Sequence, residues 1–270
     1  MVRISTNTQW KIAMFKLTKH APLLAVTCTS LIALCGTAYT SYAQEAHDAS
    51  APAKEGFTVK ANKGQVIQLI APDAREGAQE ARQTYYNSTG PLTGPLGFTR
   101  IGQLNVSRKI ISDYDPGAFI FFSWPNEASY QQLQDDPRWP ALSATRPDGW
   151  DELKIYSLKL DEDLAINFDP EKHYTVVVAW LEDAGDYDRY LDGIEPAMAR
   201  AGGRFVYKMR GVTMEAHNSP PGAPGQITFV EWDNEEGFAQ VQQSPEYQAH
   251  QQFFRTGVER FEFYWLKTRS

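Results

Sequence analysis

The stretch FFSWPNEASYQQLQDDPRWPA, residues 121–141, reads as the end of a strand, a helix cap and a helix. A close relative of it, FVEWDNEEGFAQVQQSPEYQA, returns at residues 229–249. The offset is 108 positions, and eight of the 21 aligned residues are identical, among them Phe121/Phe229, Trp124/Trp232, Asn126/Asn234 and Pro137/Pro245. Unrelated segments of average composition would share about one or two. Internal similarity of this length points to a duplicated unit. The same offset sets LKIYSLK (153–159) on FEFYWLK (261–267) and VIQLIA (66–71) on YTVVVA (174–179).

Each copy parses by hydrophobic period. In the second, HYTVVVAWLE is a strand. DYDRYLDGIEPAMARAGG is a helix with Asp186 as expected N-cap and Gly202–Gly203 as stop. RFVYKMRGVTMEAH and QITFVEW are strands. Asp233 and Glu236 have the spacing of a capping box, Pro245 starts a further short helix, and ERFEFYWLKT is the last strand. The order β-α-β-β-α-β is the ferredoxin-like unit. The first copy repeats it more loosely, with a helix expected over about 73–86 and a Gly/Pro-rich turn, STGPLTGPLG, behind it. Such a unit carries its helices on one face of the sheet only. The strands FIFFSW, VVVAW and FEFYW are nonetheless apolar at consecutive positions, so both sheet faces are buried. The expected fold class is therefore α+β. Two fused ferredoxin-like repeats, 64–162 and 171–270, pack as an intrachain pseudo-dimeric α+β barrel. A monomer is expected, with a homodimer as the alternative.

The 270-residue chain has a net charge of −7. Residues 1–43 contain Arg3, Lys11, Lys16 and Lys19, no acidic residue, and the apolar run APLLAVTCTSLIALCGTAY ending in SYA. This is the pattern of a signal peptide cleaved after Ala43, with Met1 or Met14 as the start. An uncleaved anchor is the other reading of the run. Residues 44–63 read as a flexible linker. Export makes the expected location periplasmic or extracellular. Both cysteines, Cys28 and Cys35, fall in the leader, so no disulfide, thiolate catalyst or thiolate metal site is expected in the mature chain. Cleavage removes four of the 26 basic residues and none of the 33 acidic ones, leaving −11. That balance disfavours nucleic acid or an anionic membrane as partner.

The segments GGRFVYKMRGVTMEAH (202–217) and ITFVEWDNEEGFAQVQQSPEYQAH (227–250), with Arg210–Gly211 and SPEYQ, resemble the domain-of-unknown-function 1330 family of the dimeric α+β-barrel superfamily. The likeness runs from about Tyr190 to Lys267. The first copy departs from it, with Asp136-Pro137-Arg138-Trp139-Pro140 in place of SPEYQ. The resemblance implies the fold and a barrel-like cavity between sheets, and no reaction.

No nucleophile-elbow, zinc-protease, Walker or dinucleotide motif is present. His47, His173, His217 and His250 are too scattered for a metal signature, and neither a metal nor a cofactor is expected. The candidate residues are Arg210, Tyr207, Glu231, Trp180 and Trp265 for ligand binding. His217 and Arg210 are the candidates for catalysis. A buried Arg210 would need a carboxylate, with Glu231 or Glu215 in reach, and an internal brace is the structural reading of that pair. The aromatic residues read first as core. The leading expectation is a protein that binds a small apolar or aromatic molecule in a barrel cavity. The alternatives are a cofactor-independent oxygenase or isomerase acting on a phenol- or quinol-like substrate, and a packed structural or partner-binding protein. If there is a site, the second repeat is expected to hold most of it.

Overall fold

The computed structural model describes residues 55–220 and 222–268; the expected signal peptide, most of the linker and His47 lie outside them. The first repeat comprises β2 (Val66–Ala74), α1 (Gln79–Thr93), β3 (Thr99–Ile111), β4 (Ala118–Trp124), three short helices α2 (Glu127–Gln134), α3 (Trp139–Ser143) and α4 (Arg146–Gly149), and β5 (Trp150–Lys159). The second comprises β7 (His173–Leu181), α5 (Ala184–Arg200), β8 (Gly203–Arg210), β9 (Thr213–Glu215), β10 (Gln226–Trp232), α6 (Gly237–Gln242), α7 (Pro245–Gly257) and β11 (Val258–Lys267). Within the repeats the strand orders are β3-β4-β2-β5 and β8-β10-β7-β11, all antiparallel, which is ferredoxin-like topology twice.

The two sheets join at both ends. β11 pairs with β3, and β5 pairs with β9 (Ile155 opposite Glu215, Ser157 opposite Thr213). β8 and β9 are two parts of one expected strand, bent at Gly211, whose φ of +70° suits glycine. One part closes on β10 and the other on β5, so the sheet circles back on itself and the halves of a single chain form the α+β barrel.

Residues 108 positions apart meet inside this barrel. Phe121 and Phe229 set their rings 5.5 Å apart at a tilt of 45°. Lys154 Nζ lies 2.6 Å from Glu262 Oε1, and Lys154 retains 3% side-chain exposure. Lys154 and Glu262 hold the same position in their respective repeats. A symmetric pairing of identical halves would oppose like charges there. The ammonium also sits 4.0 Å from the Tyr114 ring, which helps to repay its desolvation.

The interior is filled. Leu69, Phe121, Tyr156, Val176, Phe229 and Tyr264 are fully buried in one apolar cluster. The barrel cavity expected between the sheets is taken up by a two-stranded ribbon, β1 (Phe57–Ala61) with β6 (Leu164–Phe168). Its Val59, Ala61, Ile166 and Phe168 belong to the same cluster. Part of the expected linker is thus a structural strand. Gly102 is needed beneath it, because a Cβ there would run into the Phe57 ring.

Several local expectations change. β2 aligns with β7 at an offset of 107, since Val66 pairs with Trp124 and His173 with Trp232. The one-residue difference decides which side chains face the barrel. α1 runs over 79–93 rather than 73–86, through Gly90–Pro91. Ser88, Thr89 and Thr93 donate hydroxyl hydrogen bonds to carbonyls four residues earlier. Asp183, not Asp186, caps α5. Asp233 bonds Lys172 instead of closing a capping box, whereas Asn126 and Ser244 cap α2 and α7.

Removing one member of a buried ion pair strands the other, at a cost of about 3–5 kcal/mol. Glu262→Ala is expected to lower stability to urea by that amount. The double variant Lys154→Met/Glu262→Leu should return close to the parent value.

Candidate functional site

The outer face of each sheet is covered by its own helices, and the two repeats fill that space differently. On the second repeat, Leu191, Ile194 and Met198 of α5 meet Phe261 and Phe263 of β11, and only about 50 Å³ remains. On the first, Leu153 and Ile155 stand where the second has Phe261 and Phe263. α1 contributes Tyr85, Tyr86, Thr89, Gly90 and Thr93 in place of an apolar stripe. A cavity of about 290 Å³ results. Its remaining wall includes Phe98, Phe122 and Trp124, with Phe98 and Phe122 stacked 4.6 Å apart, and Leu133, Gln134 and Trp139 from the short helices. α1 itself buries only Thr89 and Leu92, against six residues of α5.

The duplication supplies an internal comparison for the polar groups. In the second repeat the indole N–H of Trp232 donates to Thr175 Oγ1 at 3.0 Å. Its counterpart Trp124 is 1% exposed, and its N–H finds no partner among the described residues. The position equivalent to Thr175 is Gln68, whose amide is turned to Ser157 Oγ, 2.9 Å away. Likewise Gln242 hydrogen-bonds the Tyr247 hydroxyl. Its counterpart Gln134 belongs to a repeat in which Tyr247 has become Trp139, a residue with no acceptor, and Gln134 Nε2 has no partner among the described residues. Both unpaired donors belong to residues that line the cavity.

The cavity has a second polar feature. Arg146 Nη1 lies 3.0 Å from Glu215 Oε2, and its Nε lies 3.1 Å from the Tyr85 hydroxyl. Its guanidinium stacks 5.2 Å from the Trp139 ring. Burial opposes the charge on Arg146, but Tyr85 and Glu215 more than offset it and its pKa is raised. Tyr130 donates to Glu215 Oε1 at 2.7 Å. Burial first, and the Glu215 charge second, push the Tyr130 phenol up and keep it protonated. Glu215 lies on β9, so the second repeat completes the pocket of the first.

The residues singled out in the sequence do not assemble here; none of the six lines this cavity. Arg210 is half exposed and bonds Asp188 and Gln226, not Glu231 or Glu215. Glu231 instead accepts from Arg204 at 2.8 Å and from Tyr174 at 2.9 Å, a brace within the second repeat. Tyr207 packs at the edge of the barrel core, where burial pushes its pKa up to about 12. Trp180 donates to Gly222 O at 2.9 Å, under the Arg260 guanidinium. Trp265 belongs to the helix-side core of the second repeat. His217 places Nε2 3.3 Å from Trp150 O and Nδ1 3.5 Å from Glu152. Glu152 accepts from the backbone N–H groups of Leu153, His217 and Asn218, which pins the loop after β9. Burial would raise the Glu152 carboxyl, but hydrogen bonds from Ser219 and these N–H groups hold it below its ordinary value. Among the described residues no group of three or more His, Cys, Asp or Glu side chains is placed to hold a metal.

Residues 172–264 match the family described as domain of unknown function, DUF1330. The match covers the second repeat and leaves the cavity-bearing repeat outside it, apart from Glu215. Among curated proteins nothing matches. The solved structures similar to this chain include an anthrone oxidase-like protein, at 13% identity and a TM-score of 0.48, covering 79% of this chain and 94% of that one. A chlorite dismutase variant from Candidatus Nitrospira defluvii aligns at 9% identity and 0.39, covering 77% and 93%. A protein of unknown function from Rhodopseudomonas palustris aligns at 17% and 0.32, covering 38% and 85%.

Trp232→Phe leaves the buried Thr175 hydroxyl without its donor, whereas Trp124→Phe removes a donor that is already unpaired. An unsatisfied buried polar group costs about 1–3 kcal/mol. Trp232→Phe is therefore expected to be the more destabilising of the two by about 1–2 kcal/mol in urea titrations.

Proposed function

We propose that the protein binds a small, largely aromatic molecule in the cavity of the first repeat, through a hydrogen-bond acceptor on that molecule. The carrying observation is the Trp124 indole N–H, fully buried and unpaired where its symmetry mate is satisfied. A buried donor of this kind calls for an explanation, and an acceptor on a bound molecule would stand where the Thr175 hydroxyl stands in the other repeat. Gln134 Nε2 adds a second donor. The rest of the lining is mainly aromatic and aliphatic, the composition of a small-molecule site. The volume suits about two or three fused rings.

The binding reading keeps the ligand class read from the sequence and moves it from the barrel interior to the helix side of the first sheet. The catalytic reading built on Arg210 and His217 gains no support, because neither lines the cavity. The leader at residues 1–43 supports a role outside the cytoplasm.

Leu153→Phe/Ile155→Phe installs the side chains of the filled repeat in the open one. Native mass spectrometry of protein purified from its own host should show a co-purified small molecule on the parent chain and none on this variant. A clean apo mass for the parent after gentle handling, with a melting temperature unmoved by aromatic compounds, would count against the proposal.

A further inference from the structure

The charge and hydrogen-bond inventory of the cavity narrows the ligand further, on the footing of the binding reading above. Among the described residues its only ionised pair with both members in the wall is Arg146 with Glu215, and the two cancel. The unpaired groups, Trp124 Nε1 and Gln134 Nε2, are neutral donors. A charged ligand would lose its hydration here without gaining an uncompensated counter-charge. Glu215 has capacity left. A carboxylate offers about four lone-pair sites. Oε1 is used by the Tyr130 hydroxyl and Oε2 by Arg146. Tyr130 spans the two polar features, with its ring 5.6 Å from the Trp124 ring and its hydroxyl on Glu215.

We infer that Glu215, supplied by the second repeat, is the specificity-determining residue of the first-repeat cavity, and that the ligand is an uncharged ring system with an acceptor oxygen toward Trp124 and Gln134 and a proton donor, such as a hydroxyl, toward Glu215. Glu215 then acts twice. It accepts the ligand's donor, and by neutralising Arg146 it keeps carboxylates out. Fusion of the repeats also gains a functional reason, because β9 of the second repeat must lie against β5 of the first for this residue to reach the pocket.

The test is calorimetric titration of the full-length mature protein with four probes of one size: tetralin, 1-tetralone, 5-hydroxy-1-tetralone and 1-naphthoate. The hydroxyketone is expected to bind at least about tenfold more tightly than the ketone, and the ketone at least about tenfold more tightly than the hydrocarbon, each step being one hydrogen bond. The carboxylate should give no heat. In Glu215→Gln, with folding checked by its melting curve, the ketone should bind as before and 1-naphthoate should now bind, drawn by the unneutralised Arg146. Binding of 1-naphthoate to the parent as tightly as the hydroxyketone would overturn the inference and leave the cavity reading standing. Equal affinity for tetralin and both ketones would do the same. No binding of any probe would overturn the cavity reading itself.

Discussion

Everything in this structure depends on covering the inner face of each ferredoxin-like sheet. FIFFSW, VVVAW and FEFYW have no polar side to give to water, so helices on one face leave the other in need of a partner. The chain meets the requirement with its own duplicate. The meeting is registered by residues that are each other's counterparts: Phe121 on Phe229, and Lys154 on Glu262. The ion pair adds specificity of orientation. One lysine and one glutamate at the same position fit a pairing of unlike halves and disfavour a pairing of like ones. β11 on β3 and β5 on β9 then close the ring, and the β1–β6 ribbon fills what remains of the interior.

With the inner faces committed to each other, the two outer faces are free to diverge. The second repeat packs its outer face with Leu191, Ile194, Met198, Phe261 and Phe263. The first keeps Leu153 and Ile155 and lays a polar, glycine- and proline-containing helix over them. Two hydrogen bonds of the packed copy, Trp232 to Thr175 and Gln242 to Tyr247, have no equivalent in the open one. A cavity that costs packing and leaves donors unsatisfied is destabilising in itself. Its presence in one copy and absence in the other fits a site kept for a ligand in that copy.

The repeat, the fold class and the closed pairing of the halves were legible in the sequence, because they rest on strand periodicity and on identities at fixed spacing. The β1–β6 ribbon was not: FTVKA and LAINF are short, flank the repeats, and gain their apolar burial only when the barrel exists. The β2–β7 register is not legible, because VIQLIA and YTVVVA are apolar at nearly every position and composition does not distinguish 107 from 108. Likeness to the family points to residues of the better-matched second repeat. Arg210 and Glu231 are engaged in that half's own hydrogen bonds and ion pairs, Trp265 in its helix-side core, and Tyr207 and Trp180 in the barrel core that both halves share. The signal that could have located the cavity was present as difference rather than likeness. Leu153 and Ile155 stand at the positions of Phe261 and Phe263, Trp139 at that of Tyr247, and α1 lacks the apolar stripe of α5.

The central claim is that the duplication left one outer-face site open and closed the other. It is tested most directly by the indole N–H resonances of the ¹⁵N-labelled protein during titration with 1-tetralone. The account predicts that Trp124 shifts downfield as its N–H acquires an acceptor, while Trp232, held by Thr175, stays in place. A titration in which Trp232 moves and Trp124 does not would contradict it.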